Sequence, residues 1–359
     1  MSTAPHARLD PAQLETFLAL RDAAVAHAVD ACAQANPALF ARFGARGRSA
    51  CSEDIRYHID YLTPALEHGD PTPFLSYLGW LAQVLRARGV PAASLPQSLR
   101  DLATFYRQHL PPDTAATVAA VLEAGHAHLA DAPAPPDYSQ PSPAAWPECD
   151  PFQQAVLASE RHRAQQLFDA AMAQDTSLVS AEIHVIQPAL YAIGREWQAN
   201  RVTVAQEHLA TAMAQFVMAN AYGRATPAPD NGGRALLACP PGNHHEVGLR
   251  MLADALEMDG WSVQCLGANT PTAALAAQAE HFAPHLICLS ASLPQHLRRL
   301  RETINMVRQQ LGACCPPIAI GGLVVNQFPA LLHTLPAVTL GTDAEAAALA
   351  ARAYLPDGR

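Results

Sequence analysis

A histidine in a short loop, His245, has the surroundings in this sequence that best suit metal chemistry. The loop 242–248 follows an apolar run at 235–239 and precedes an amphipathic segment, which predicts a buried strand, a tight loop and a helix. Open α/β sheets bind ligands at the carboxyl ends of their strands, and imidazole is a common metal ligand. Gly248 leaves room for a bulky group beside the backbone. A solvent-exposed loop histidine explains this motif alone equally well.

Small residues also stand at the ends of three further apolar runs in the carboxyl-terminal half. These residues are Ser290, the pair Gly321 and Gly322, and Gly341 followed by Thr342. The carboxyl ends of parallel strands meet at one edge of a sheet, so these residues are expected to lie close together. The pattern therefore predicts a long slot beside the sheet, next to the histidine loop.

The spacing of these residues resembles that of the cobalamin-binding domain of the methionine-synthase type. That family has Asp-x-His-x-x-Gly, then Ser-x-Leu, then Gly-Gly, at intervals of the same length as those found here. In this sequence 41 residues separate Gly248 from Ser290, and 28 separate Ser292 from Gly321. The resemblance implies a Rossmann-like fold with the dimethylbenzimidazole tail of the cofactor in the slot.

Within this resemblance, His245 takes the place of the lower cobalt ligand, which makes it the metal ligand of the site. Two residues depart from the family pattern: Asn243 replaces the acid, and Ser292 replaces the leucine, with Leu293 one place later. Asn243 can still accept a hydrogen bond from the imidazole, but without charge, so the histidine is expected to be a weaker donor to cobalt.

Residues 150–230 show helical periodicity and predict a four-helix bundle. Its helices are expected at 152–167, 176–185, 188–199 and 203–222. The bundle resembles the cap of CarH-type light-sensing cobalamin proteins, because Trp197 is followed after nine residues by Glu207 and His208. This resemblance implies that Trp197 covers the upper face of the corrin, while Glu207 and His208 contact the 5′-deoxyadenosyl group. Without this resemblance, such a tryptophan is more often a core residue, and the Glu207–His208 pair a solvated helix turn.

A further departure concerns the residue after this tryptophan. The CarH-type proteins have a histidine there that binds cobalt after illumination, whereas this sequence has Gln198. Ligation by two histidines through this position is therefore not expected.

Residues 231–359 alternate between apolar runs and helical segments, which predicts a five-stranded parallel sheet with helices on both faces. The strands are expected at 234–239, 262–266, 285–290, 317–320 and 337–340. The helices are expected at 246–258, 272–282, 294–311, 326–334 and 343–353. The stretch after the second strand also resembles the CarH-type sequence, which implies that Gly267 admits the ligand and that Thr270 caps the next helix.

Residues 1–130 are predicted to form a separate helical domain. Asp10 and Pro11 are typical of a helix start, and Ser52 is expected to cap a later helix. The stretches 56–62 and 74–80 resemble the globin-like amino-terminal domain of the photocobilins. The whole chain is then multi-domain, α and α/β.

The photocobilin resemblance implies a biliverdin site, and the clustered residues His58, Arg56, Tyr61, Tyr77 and Trp80 are expected to form it. An arginine suits a propionate, and aromatic walls suit a flat conjugated ligand. The alternative is a helical dimerisation module in which these aromatic side chains are core residues.

Composition bounds the remaining expectations. Residues 131–149 are rich in Pro and Ala, which predicts an interdomain linker. The net charge is −9 with no basic stripe and no basic recognition helix, so no direct nucleic-acid binding is expected. The eight cysteines form no C-x-x-C pair; several lie within predicted strands and are expected to be small core residues, which fits a reducing cytoplasm. No signal core or membrane span is predicted.

Taken together, these resemblances imply a light sensor that binds adenosylcobalamin, is coupled to a biliverdin chromophore, and has no catalytic residues. A homodimer that acts on an unidentified effector protein is expected. The alternative is a corrinoid carrier for a methyltransferase system, whose cap must open for partner enzymes. A purely structural protein would not require the slot.

Overall fold

The computed structural model describes residues 7–130, 144–173 and 177–356, and the chain divides into two units, 1–137 and 138–359. The predicted linker, 131–149, lies mostly outside the described residues. Its end is not linker, because Cys149 begins a helix.

The described part of the first unit is helical throughout. Its helices are α1 (Pro11–Ala19), α2 (Arg21–Ala35), α3 (Pro37–His68), α4 (Thr72–Ala87), α5 (Ser94–His109) and α6 (Pro112–Ala130). The predicted start of α1 is confirmed by a reciprocal capping pair. The backbone N–H of Gln13 donates to Asp10 Oδ1, and the backbone N–H of Asp10 donates to Gln13 Oε1, both at 2.9 Å.

The expectation that Ser52 begins a helix is wrong. Helix α3 begins at Pro37, whose ring presets the backbone for a first turn, and it runs through Ser52. Gly44, with φ 57° and ψ −142°, forms a kink that divides α3 into two helical segments, and Ser52 lies inside the second of them. Serine is favoured at caps, but it also occurs inside helices, so its presence did not locate the boundary.

The second unit begins with a helical bundle that is divided differently from the prediction. Its segments are α7 (Cys149–Leu157), α8 (Arg161–Met172), α9 (Leu178–Ala181), a π-helical turn (Glu182–Ile186), α10 (Gln187–Gln198) and α11 (Val204–Tyr222). The predicted helix 152–167 is broken where Ser159 adopts φ 61°. The predicted helices 176–185 and 188–199 are instead continuous from α9 to α10.

The π-helical turn explains how this helix continues across a proline. Pro188 has no N–H to offer to the carbonyl of His184. That carbonyl accepts instead from the Trp146 N–H at 3.0 Å, and the Trp146 and His184 rings stack at 4.9 Å. A wider turn at 182–186 therefore lets the helix pass the proline without an unsatisfied carbonyl.

The rest of the second unit is a parallel sheet in the order β2-β1-β3-β4. The strands are β1 (Arg234–Ala238), β2 (Ser262–Cys265), β3 (Leu286–Ser290) and β4 (Ile318–Gly321). The helices are α12 (Val247–Met258), α13 (Thr272–Phe282), α14 (His296–Leu311), α15 (Leu323–Gln327) and α16 (Ala344–Ala351), with short 3-10 turns at Gly312–Cys314, Pro329–Thr334 and Arg352–Tyr354.

Among the described residues the sheet has four strands, so the prediction of five is wrong. The expected fifth strand is reduced to one parallel bridge between Val338 and Ala319. Val338 donates to Ile318 O at 3.0 Å and accepts from the Ile320 N–H at 2.8 Å. Pro336, which lacks an N–H, stands just before this segment and limits the pairing. Pro329 likewise divides the predicted helix 326–334 into α15 and a 3-10 turn.

Helices cover both faces of the sheet, as predicted. One face, with Leu237 and Cys288, shares a continuous hydrophobic core with the bundle, α12 and α16. The other, with Leu236 and Ile287, packs against α13 and α14. The bundle is therefore joined to the α/β domain through one of these cores rather than through isolated contacts.

The burial of the cysteines and the length of the apolar helices bear on two further expectations. The expectation of core cysteines holds for Cys32, Cys149, Cys239 and Cys288, whereas Cys265 and Cys314 are exposed. In the described ranges no helix is both long and apolar enough to span a bilayer.

Candidate functional site

The loop after β1 is held in place by the loop after β2. The Gly242 N–H donates to Asn269 Oδ1 at 2.8 Å, and the Asn269 N–H donates to Asn243 O at 2.9 Å. The Thr270 N–H adds a bond to Cys239 O at 2.9 Å. These bonds fix the backbone on which the predicted metal ligand stands.

Asn243 is fully buried and orients the His245 ring. Its Nδ2 donates to the Ser290 carbonyl at 2.7 Å, which assigns the other amide atom as the acceptor. Asn243 Oδ1 accepts from the His245 N–H at 3.1 Å and lies 3.2 Å from His245 Nδ1. The ring hydrogen therefore sits on Nδ1, and the lone pair of Nε2 is available to a metal.

The same network explains why asparagine can replace the family's acid. An aspartate at position 243 would place a second acceptor against the Ser290 carbonyl, with no proton between them. The amide fills both roles, donor to the β3 end and acceptor from the ring.

The His245 side chain lies at the surface of the α/β domain, and its residue is exposed. Crowding by the surrounding protein nevertheless lowers the pKa of the ring; the charge of Glu207 opposes this shift, and that of His244 adds to it. A neutral imidazole is the form that binds metals. Glu207 belongs to α11, so this helix contributes to the electrostatic environment of the ring.

The glycines at the edge of the sheet fall into two groups. Gly322 has φ 100°, and a Cβ there would collide with the Ala291 carbonyl oxygen and stand 2.9 Å from Ser290 Oγ. At Gly248 and Gly321, by contrast, an added Cβ would meet nothing within 4 Å. The first glycine is required by the fold, whereas the other two border open space in which a ligand can lie.

The loop after β2 differs from the prediction in one respect. Thr270 does not cap α13: the residue before that helix is Pro271, and the Thr270 hydroxyl donates to Gly267 O at 3.3 Å. Gly267 has φ 75°, and a Cβ there would lie 2.7 Å from Glu246 Oε2. Gly267 and Thr270 therefore stabilise the conformation of the loop after β2.

Gly341 and Thr342 lie beyond the single bridge at Val338, at the far end of the sheet edge. A Cβ at Gly341 would stand 2.9 Å from Ala346 Cβ, so this glycine permits close packing against α16. The carbonyl of Thr342 accepts from Asn326 Nδ2 at 2.9 Å.

His296 is a site residue that sequence reasoning missed. Its ring centre lies 6.2 Å from that of His245, and burial, with His245 and His244 adding, lowers its pKa to about 4. His296 Nδ1 accepts from the Ser292 N–H at 3.4 Å and the Leu293 N–H at 3.2 Å, which fixes the loop after β3. It lies in the first turn of a helix, and no spacing signal marks it.

Glu246 is a second residue that the sequence did not single out. One of its oxygens accepts from the Ala268 N–H at 2.8 Å, and the other accepts from Gln215 Nε2 of α11 at 2.9 Å. Glu246 therefore ties the bundle directly to two loops at the edge of the sheet.

In the bundle, the predicted upper residues lie at the end of α10 and the start of α11. Trp197 is half-buried against the core. Glu207 Oε2 lies 2.6 Å from Nδ1 of the exposed His208, and Glu207 Oε1 accepts from the Thr211 hydroxyl at 3.1 Å. Glu207 and Gln215 stand two turns apart on one face of α11, and that face is directed at the α/β domain.

Around His58, the site predicted for a bilin, the aromatic side chains pack against one another. His58 is 2% exposed, with Nδ1 2.9 Å from the Tyr77 hydroxyl, and Tyr61 stacks on Tyr77 at 3.9 Å. Burial lowers the pKa of His58 to about 3. Arg56 occupies another face of α3 and donates to Asp22 at 2.7 Å. The aromatic cluster is core, and the arginine is not part of it.

Arg56 instead borders a cavity of about 630 Å³ between α2 and α3. Its apolar lining includes Val25, Val29 and Ala45. Two ion pairs border it: Arg56 with Asp22, and Arg48 with Asp30.

Comparison with known families agrees with this division of the chain. A family model described as B12 binding domain matches residues 233–350, and a second with the same description matches residues 149–222. A third, described as Phycobilisome protein, matches residues 4–129. The chain therefore combines a phycobilisome-type, globin-like helical domain with B12-binding domains.

Two curated relatives are regulators from Myxococcus xanthus. The HTH-type transcriptional repressor CarA is 39% identical over 136 residues, 38% of this chain and 46% of that protein. The HTH-type transcriptional repressor CarH is 28% identical over 196 residues, 53% of this chain and 64% of that protein. Each match thus covers about half to two thirds of the relative. The monomethylamine corrinoid protein of Methanosarcina barkeri aligns with a TM-score of 0.48 at 16% identity, over 57% of this chain and 98% of that one.

Proposed function

We propose that this protein is a light-responsive regulator that binds adenosylcobalamin between its helical bundle and its α/β domain. The observation that carries the proposal is the His245 network. Nδ1 is held by a buried amide, Nε2 is left for a metal, and Gly248 and Gly321 of neighbouring elements border open space. The two B12-binding matches span both parts of this site.

The roles of the residues follow from their positions. His245 would hold the cobalt through Nε2, with Asn243 keeping the ring in the required tautomer. The slot for the nucleotide tail would be bordered by small and polar residues of the sheet edge: Gly248, Gly267, Thr270, Ser290, Ser292, Gly321, Gly322, Gly341 and Thr342. Trp197, Glu207 and His208 would lie on the upper side.

When bound, adenosylcobalamin supplies a cobalt–carbon bond that light breaks. Glu207 and Trp197 would hold the adenosyl group, so α10 and α11 would be free to repack once these two residues no longer had that partner. The change would be passed on by a dimer contact or an effector protein, without catalysis by this chain and without direct contact to nucleic acid. Gln198 offers cobalt a poorer ligand than a histidine would.

A corrinoid carrier for methyl transfer is the competing function for the same site, and reconstitution separates the two. The dark protein is supplied with adenosylcobalamin or methylcobalamin and then illuminated. A light sensor prefers the adenosyl form and shows a light-dependent change in absorption and in oligomeric state. A carrier accepts the methyl form, docks a partner methyltransferase and loses the methyl group to a thiol acceptor on that partner.

Replacing Trp197 with alanine is expected to leave binding of hydroxocobalamin intact but to reduce the preference for the adenosyl form by about 3–10-fold, because an aromatic contact is lost on the upper side. Competition between the two cobalamins, followed by absorption, measures this. Trp146→Ala removes an indole from the same bundle, where it stacks on His184, and should leave the preference unchanged. Equal preference in Trp197→Ala and the unaltered protein would remove Trp197 from the site.

Bilin binding by the first unit is a second candidate function. The phycobilisome-type match over residues 4–129 and the α2–α3 cavity favour it. A linear tetrapyrrole with two propionates could exchange for Asp22 and Asp30 at the two arginines.

Arg56→Ala is expected to weaken binding of biliverdin to the full chain by about tenfold, because a charge-assisted contact is lost. The measurement is a titration that follows the red absorption band of the bound bilin. Arg86→Ala, an exposed arginine of α4 away from the cavity, is the matched control and should have no effect. If both variants bind as the unaltered protein does, the cavity is not the bilin site.

A further inference from the structure

A buried acid lies where the bundle meets the α/β domain. Glu182 is the first residue of the π-helical turn and is 0% exposed. Among the residues that the structure describes, no N–H or hydroxyl group donates to either of its carboxyl oxygens. An ionised carboxylate in such a place is very costly, because neither water nor a donor compensates its charge.

The partner of Glu182 is a second acid, Asp254 of α12. Asp254 is 8% exposed, and its helix packs against α9, which directly precedes Glu182, so the two buried carboxyl groups lie within hydrogen-bonding reach of each other. Two carboxylates cannot bond each other unless one of them carries a proton. The contact therefore requires a proton on the pair, and the fully buried member, Glu182, is the one that holds it.

The charged groups around Glu182 and Asp254 do not neutralise the two acids in place of this proton. The charge of Arg250 acts to lower the pKa of both acids, but burial outweighs it, and Arg250 Nη2 lies 4.0 Å from Glu246 Oε1. Glu257 on α12 adds negative charge, and Tyr222 of α11 and the Cys265 thiol at the end of β2 are neutral neighbours. On the α9 side, Ser180 donates to Glu345 of α16 at 3.4 Å, which adds another acid to this region.

Glu182 and Asp254 lie on two elements that lead to opposite sides of the proposed cobalamin site. The π-helical turn leads into α10, which ends at Trp197 and Gln198. Helix α12 follows directly after the loop of His245 and Glu246. A change at the pair therefore acts on both at once. π-Helical turns inside helices often occur at functional positions.

We propose that Glu182 and Asp254 share one proton and so form a proton-dependent joint between the helical bundle and the α/β domain. The existence of the joint is independent of the cofactor. Its consequence for cobalamin, easier opening of the site when the proton is lost, rests on the proposed function.

The direction of the pH effect follows from the two acids. Burial, with the charge of Asp254 adding, raises the pKa of Glu182 well above its ordinary value, and burial raises the pKa of Asp254 to about 6. The closed state therefore holds a proton at pH 7 that the separated acids release. At a pH below the ordinary pKa values of Glu182 and Asp254, the joint has its full stability. It weakens as the pH rises through the raised pKa values that the two acids have in the closed state.

Hydrogen exchange of the full chain between pH 6 and 8 tests the joint. In the unaltered chain, the equilibrium constant for local opening of residues 178–198 and 247–258 should rise about tenfold per pH unit relative to that of Glu182→Gln. The reason is that the closed state of the unaltered chain binds one more proton than its open state. The amide in Glu182→Gln is neutral and donates to Asp254 without titrating. Glu280→Gln, on the exposed side of α13, is the matched control and should follow the unaltered chain.

Equal pH dependence in the unaltered chain and Glu182→Gln would overturn the joint. If Glu182→Gln does not fold, Glu182→Met, of similar length and also without a titrating group, takes its place under the same criterion. Because the exchange is measured without cofactor, failure of the chain to bind cobalamin would overturn the proposed function and leave this test unaffected.

Discussion

Replacing His245 with alanine is expected to abolish the histidine-ligated state of bound cobalamin. Nε2 is the donor that the loop presents, and Asn243 and the Ser290 carbonyl hold the ring for that purpose. Affinity should fall by more than the ~10–100-fold that loss of a supporting partner costs at metal sites. The absorption spectrum of protein reconstituted in the dark should shift to that of cobalamin without a lower nitrogen ligand.

His244→Ala is the matched control for this variant. His244 is the exposed neighbour of His245 in the same loop, so its loss should leave the spectrum unchanged. A histidine-ligated spectrum that persists in His245→Ala would show that another residue binds the metal. His296 would then be the first residue to replace, because its ring lies 6.2 Å from that of His245.

Gly322→Ala is expected to lower the free energy of unfolding of the second unit by about 2–4 kcal/mol. The backbone at Gly322 has φ 100°, which side chains rarely adopt, and the new Cβ would press on the Ala291 carbonyl. Neither the strand end nor that loop can move away without disturbing the Ser290 carbonyl that Asn243 uses. Denaturant unfolding, followed by a signal from the second unit, measures the loss.

Gly248→Ala separates the demands of the fold from those of the ligand. Gly248 lies in the first turn of α12, where alanine is a better helix former and meets no neighbour within 4 Å. Its stability should be unchanged or slightly higher, while cobalamin binding should weaken because the Cβ enters the open space. Normal cobalamin binding by Gly248→Ala would mean that the open space is not the ligand slot.

Much of the site could be predicted because its signals are local and periodic. Buried strands are short apolar runs, and parallel strands must end at one edge, so the positions of His245, Ser290 and Gly321 along the chain already implied a shared edge. The four strands that form lie within about a residue of their predicted bounds. The cobalamin-type intervals between those residues added the identity of the ligand.

Element boundaries were less predictable where one residue type fits two roles. Ser52 can cap a helix or lie inside one, and Pro188 can end a helix or be passed by a π-helical turn. In each case the outcome depends on what the freed backbone groups find nearby. The Trp146 N–H donates to the carbonyl of His184, and the sequence around Pro188 does not predict this donor.

The sequence by itself determined the order of the domains, the strands and the loop that carries His245, because these follow from apolar periodicity and from the spacing of small residues. Tertiary structure alone decided which polar groups meet. It separated Arg56 from His58, put His296 beside His245, and buried Glu182 against Asp254. Such pairs join residues far apart in sequence, and the direction of a side chain depends on the rotation of each helix against its neighbours, which packing of the whole core sets.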